Sequence, residues 1–178
     1  MKTQTLLIAT VGLMIACGNE SETKSTRNNG TPKSTSQSLL GTFETGCLND
    51  ADDAGSQKTV ITFADGEYLT KVEAFEFSNC SHKNVIIEQG GMYLQRGSEI
   101  QVTTSGLLYT FLDPRAIDYA NESKFCGRSD WKVNQQLFVN SSDCGEGANQ
   151  ISTANYRFDG NKLLLTSEGE TLELYRRK

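Results

Sequence analysis

The sequence predicts an all-β protein, an antiparallel meander of about eight to ten strands forming a small barrel, with a β-sandwich as the alternative. Three observations lead there. Beyond Leu39, apolar and polar residues alternate with a period of two, which sets the apolar ones on one face of a strand. Short turn signals recur between these runs: Asp65-Gly66, Gly90-Gly91, Ser105-Gly106, Asp159-Gly160 and Glu168-Gly169. No convincing long helical period interrupts them, so the connections read as hairpins rather than crossover helices.

Taken in order, the expected strands are Thr42–Cys47, Thr59–Ala64, Glu67–Phe77, Asn84–Glu88, Met92–Gln95, Glu99–Thr104 and Leu107–Leu112. Trp131–Val139, Asn155–Phe158, Lys162–Thr166 and Thr171–Arg176 complete the set. In the third run Tyr68, Thr70, Val72 and Ala74 share a face, but Phe75 and Phe77 fall on the other. A bulge near Ala74-Phe75 would return both aromatics to the core. Ile100 and Val102 oppose Gln101 and Thr103, and Leu172 and Leu174 oppose Glu173 and Tyr175. Between the seventh and eighth runs, Asp113 to Lys124 is the best place for a helical turn, with Pro114 at its first position and Asp113 as its cap.

The 178 residues suit one domain, and a net charge of −5 argues against nucleic acid, whose binding rests on phosphate neutralisation. Catalytic and metal chemistry has little to work with. His82 is the single imidazole, and between Ser81 and Lys83 it reads as an exposed loop residue; no Gly-x-Ser-x-Gly elbow accompanies it. The acidic loop from Asn49 to Gly55 places Asp50, Asp52 and Gly55 on an EF-hand template, but Ala54 and Ile61 stand where ligands are required. Gly41 and Gly46 have the separation of a phosphate loop, yet Cys47 replaces its lysine. Glu67, Glu73 and Glu76, beside Lys71, read as outward charges. Trp131, with Tyr119 and Phe125 nearby, reads as a core plug or lid rather than a recognition cluster. No catalytic residue, metal or cofactor is expected.

Three segments are expected: a signal at 1–16, a tether at 17–38 and one β-domain at 39–178. Lys2 precedes an apolar run from Leu6 to Ala16, too short to cross a bilayer comfortably as a helix and flanked like an export signal. The run ends in Met14-Ile15-Ala16-Cys17, which resembles the lipobox of bacterial lipoproteins, with Met where Leu is usual. The resemblance implies cleavage before Cys17, diacylglycerol on its sulfur and an acylated amine. At about 0.8 kcal/mol per buried methylene, several acyl chains would anchor the protein almost permanently. Gly18, rather than Asp, resembles an outer-membrane address. Gly18 to Ser38 contains no apolar side chain and should form a flexible tether reaching about 25 Å.

With Cys17 lipidated, Cys47, Cys80, Cys126 and Cys144 remain, an even set that implies two disulfides in an exported chain. If the first three strands form a meander, Cys47 and Cys80 reach the same sheet edge, which favours their pairing. Cys126 and Cys144 then pair by elimination, most easily if the chain doubles back near Asn134-Gln135-Gln136 as a disulfide-closed hairpin.

A meander over 39–178 is similar to lipocalin and fatty-acid-binding barrels. Gly41-Thr42-Phe43 resembles the lipocalin Gly-x-Trp, with Phe for Trp, and Asp118-Tyr119 loosely resembles a second element of that family. The resemblance implies that Arg176 or Arg177 covers the first-strand aromatic. It implies a non-enzymatic envelope module binding a small apolar ligand or an envelope component, attached to the membrane through Cys17. The alternative is a solid-core structural or interaction domain for envelope stress, adhesion or inhibition.

Overall fold

The computed structural model describes residues 38–49, 55–144 and 151–178. The expected signal, Cys17, the tether up to residue 37, and Asp50, Asp52, Asp53 and Ala54 lie outside the described residues.

The strands are β1 (Gly41–Glu44), β2 (Leu48–Asn49), β3 (Ser56–Ala64), β4 (Glu67–Phe75), β5 (Lys83–Arg96) and β6 (Glu99–Phe111). They are followed by helix α1 (Pro114–Glu122), then β7 (Gln136–Val139), β8 (Ile151–Asp159), β9 (Lys162–Ser167) and β10 (Glu170–Arg176). Two 3-10 turns, Phe125–Gly127 and Ser141–Cys144, flank β7. Every pairing is antiparallel. Strands run β1-β10-β9-β8-β6-β5-β4-β3, and β1 pairs back onto β3, closing an eight-stranded barrel. Closure removes the open edges that a sandwich would have to protect.

Two of the expected turns are not turns. Gly90-Gly91 and Ser105-Gly106 lie opposite each other inside two long strands, β5 of 14 residues and β6 of 13. Thr104 faces Gly91 and Gly106 faces Gly90, so Ser105 is an extra residue, a β-bulge. A Cβ on Gly91 would stand 1.9 Å from the Thr103 carbonyl oxygen. The glycine marks a close approach of two backbones rather than a reversal. The bulge also preserves the inner face. Val85, Ile87, Gln89 and Tyr93 of β5 stand opposite Phe111, Tyr109, Leu107 and Val102 of β6, so odd and even positions exchange roles across Ser105.

The bulge between Ala74 and Phe75 is present and buries Phe75. Phe77 is corrected: it lies beyond the strand end, where the chain turns away from the wall, and is 49% exposed. The expected strand Trp131–Val139 is also corrected. Only Gln136–Val139 is extended, and it pairs with β6 rather than with an arm of its own hairpin. Buried Trp131 anchors the earlier part against aromatics, and the backbone turns at Asn134, whose φ is +60°.

Both disulfides are those favoured above. Cys47–Cys80 spans a Cα separation of 5.9 Å, and Cys126–Cys144 spans 4.1 Å. The second joins the two 3-10 turns on either side of β7. Disulfides point to an oxidising, extracytoplasmic compartment. Among the described residues no helix is long and apolar enough to cross a membrane.

Candidate functional site

One barrel end is sealed where β1 meets β10. Phe43 is fully buried, and the Arg176 guanidinium lies over its ring, 4.6 Å from the centroid. The same guanidinium donates from Nη1 to the Leu40 carbonyl (2.9 Å) and from Nη2 to the Ser38 carbonyl (2.6 Å). Gly41, with φ +124°, makes room: a Cβ there would meet Arg176 Nη1 at 2.8 Å. Arg176 therefore takes the expected covering role. Arg177 instead donates its backbone N–H to Thr42 and lies 3.5 Å from Glu44. Phe63, Ile61, Leu163 and Leu174 fill the interior above Phe43.

A second apolar cluster occupies the other end, built on Val85, Leu107, Tyr109 and Phe111 of the inner face. Helix α1 lies over it, contributing Ile117 and Ala120. Trp131 is the plug that its size suggests: it sits 5.0 Å from Phe111 and 5.9 Å from both Tyr109 and Phe125, ring centre to ring centre. Its backbone N–H donates to Asn121 Oδ1 (2.8 Å), and its indole N–H donates to the Phe125 carbonyl (3.3 Å). Tyr119 remains 41% exposed and outside this stack.

Between the clusters the inner face becomes polar. Gln89 Nε2 donates to Thr104 Oγ1 (2.7 Å), which also bonds the Tyr68 hydroxyl (2.8 Å). Burial pushes the Tyr68 phenol up, only partly offset by those side-chain hydrogen bonds. Thr59 shares the face of Ile61 and is 1% exposed; its Oγ1 has no hydrogen-bond partner among the described residues. Such a group is costly to leave unmade.

The rim of the plugged end carries a polar cluster. Asp113 caps α1 from an extended backbone, its Oδ1 accepting from the Arg115 N–H at 2.7 Å. Its Oδ2 lies 2.7 Å from His82 Nε2 and 2.9 Å from Arg115 Nη2. Glu76 Oε2 completes the group, 2.8 Å from Arg115 Nη2 and 3.5 Å from His82 Nε2. Asp113 is 6% exposed, whereas the Arg115 side chain is 69% exposed. The Arg115 hydrogen bonds hold the Asp113 carboxyl well below the usual carboxylate range, against burial and with help from His82. Asp113 and then Glu76 raise Arg115 in turn.

His82 is half exposed, as a loop residue, but it is engaged rather than free. The ligand atoms of Glu76, His82 and Asp113 lie within 4.8 Å of one another, close enough to hold one metal ion. Among the described residues no hydroxyl or thiol hydrogen-bonds His82, so a nucleophile–base pair is not assembled here. The EF-hand reading finds no support where it can be inspected, since Ile61 faces the barrel interior and is buried. Sequence reasoning placed Glu76, His82 and Asp113 separately, as an outward charge, a loop residue and a cap. The signal that unites them is topological. The β4–β5 connection and the end of β6 emerge on the same side of an up-and-down wall.

No protein-family model matches the chain, and no curated protein matches it significantly.

Proposed function

We propose that this protein is a lipid-anchored, non-enzymatic binding module of the bacterial cell envelope, held at the outer membrane by acyl chains on Cys17. It takes a small apolar ligand, or an envelope component, in a lipocalin-like barrel. The sequence Met14-Ile15-Ala16-Cys17 supports the anchor, and the two disulfides are those of an exported chain. The observation that carries the binding reading is the broken interior: apolar clusters at both ends, the polar Tyr68–Thr104–Gln89 network on the inner face, and the buried Thr59 hydroxyl with no hydrogen-bond partner among the described residues. A largely apolar molecule bearing one polar group would match that lining.

Native mass spectrometry of protein extracted from membranes in mild detergent tests this. The expected spectrum shows the acylated chain with a bound small molecule, and Cys17→Ser yields a chain that leaves the detergent phase. A bare, unacylated chain from the same membranes would defeat the proposal.

A second reading, a solid-core interaction domain, draws on two other features. Phe43, Tyr109 and Phe111 already fill interior space, and Leu69, Met92, Leu94 and Ile151 are exposed on the outer face of β4, β5 and β8. Under it, the acylated chain carries no small molecule and crosslinks to an envelope protein instead.

A further inference from the structure

We infer that Glu76, His82 and Asp113 form a zinc site at the plugged rim of the barrel, with Arg115 as the resident cation that the metal displaces. The donor set is one imidazole nitrogen and two carboxylate oxygens, which suits zinc with a fourth position open to water. The imidazole makes the set a poor match for calcium or magnesium, which prefer oxygen throughout. Zinc bonds of about 2.0–2.1 Å in a tetrahedron set neighbouring ligand atoms about 3.3 Å apart. His82 Nε2 already lies 2.7 Å from Asp113 Oδ2 and 3.5 Å from Glu76 Oε2, and all three ligand atoms fall within 4.8 Å of one another, so the two carboxylates need only draw together as the guanidinium leaves.

The second shell is in place. Asp113 Oδ1 is fixed by the α1 N–H of Arg115, which leaves Oδ2 as the ligand atom. An independent feature lies beside it. The Asn84 carbonyl accepts from the backbone N–H groups of Leu112 and Asp113, and Asn84 Oδ1 is buried with no hydrogen-bond partner among the described residues. It is an unused oxygen on the residue whose backbone carbonyl holds the Asp113 backbone in place. Arg115 now balances two carboxylates with one positive charge, and its side chain is mostly in water. On binding, the guanidinium swings out to solvent and zinc takes its place between the carboxylates. His82 bonds zinc through the Nε2 lone pair, and the single hydrogen of the neutral ring resides on Nδ1. The ion would tie the end of β4, the turn before β5 and the cap of α1 together, over the cluster that closes the barrel.

The chain has one histidine, so every imidazole resonance belongs to His82. Zinc chloride is titrated into the untagged full-length protein with both disulfides intact, followed by calorimetry and by NMR of that ring. The expected result is one equivalent bound, with large shifts of the His82 ring signals. His82→Ala and Glu76→Gln should each weaken binding by at least ~10–100-fold. Arg115→Gln, which removes the competing cation, should tighten it by about tenfold, roughly 1.4 kcal/mol. A purely structural ion-pair network predicts the opposite for Arg115→Gln: a less stable protein and no gain in zinc affinity. Unmoved ring signals at millimolar zinc, or binding that survives His82→Ala, would overturn the site. The ring signals of the unmutated protein decide the matter even if a variant folds poorly.

Discussion

Gly91 shows how one residue can set the geometry of a wall. Its missing Cβ lets β5 and β6 approach at the bulge, where any side chain would collide with the Thr103 carbonyl. Backbone has nowhere to go at such a contact, unlike the tip of a flexible side chain. Gly91→Ala should therefore destabilise the barrel by about 2–4 kcal/mol, as overpacking and ladder distortion combine. Gly97→Ala, where nothing lies within 4 Å, should cost less in the same urea titration despite a φ of +63°. The sequence could not separate these cases, because Gly-Gly serves a reversal or a close approach equally well. Which one applies depends on whether the neighbouring strand continues. By contrast an arginine over Phe43 was expected from the resemblance of Gly41-Thr42-Phe43 to the lipocalin element, which left Arg176 and Arg177 as alternatives; Arg176 takes the place.

At the scale of elements, α1 depends on its first residue. Asp113 both caps the helix and accepts from Arg115, with its carboxyl held below the ordinary range chiefly by those hydrogen bonds. A carboxyl whose pKa is depressed on folding contributes stability above its unfolded value, and that contribution is lost as pH falls through the folded one. Stability should thus decline below pH about 4, where unfolded carboxyls begin to bind protons. Asp113→Asn keeps the cap oxygen but forgoes the ion pairs, so it should be less stable at pH 7 and show a shallower acid limb in urea titrations at pH 7 and pH 3. The helix itself was readable from Asp113-Pro114, as was the bulge at Ala74-Phe75 from the switch of face. The contacts of Asp113 with His82 and of Arg115 with Glu76 were not, because they join positions more than thirty residues apart along the chain. The strand expected over Trp131–Val139 failed for a related reason. Apolar residues there serve a stack built from β6, and their spacing cannot say so.

For the whole molecule, the antiparallel meander was legible from alternation and turn spacing, with barrel and sandwich both open, and the cysteine pairs followed from a shared sheet edge for Cys47 and Cys80 and elimination for the rest. The bridges differ in what they hold. Cys47–Cys80 staples the paths after β1 and β4, and Cys126–Cys144 closes the segment that carries Trp131 over the inner face. Each should contribute about 3 kcal/mol, mostly by limiting the unfolded chain. Cys126→Ser with Cys144→Ser should lower the melting temperature and make Trp131 fluorescence respond to quencher, whereas Cys47→Ser with Cys80→Ser should lower it without unveiling the indole.

The wall is not equally strong all round. β5 and β6 share twelve matched residue pairs, whereas β1 meets β10 through only Phe43↔Arg176 and Glu44↔Tyr175. A cylinder under load tears along its shortest stitching, and this one is fastened there by the rivet of Arg176 over Phe43. Tension applied through an anchored N-terminus would arrive first at Ser38 and Leu40, the two carbonyls that this arginine grips. Under the proposed anchoring at Cys17, that fastener would stand between a pull from the membrane and the unrolling of the molecule.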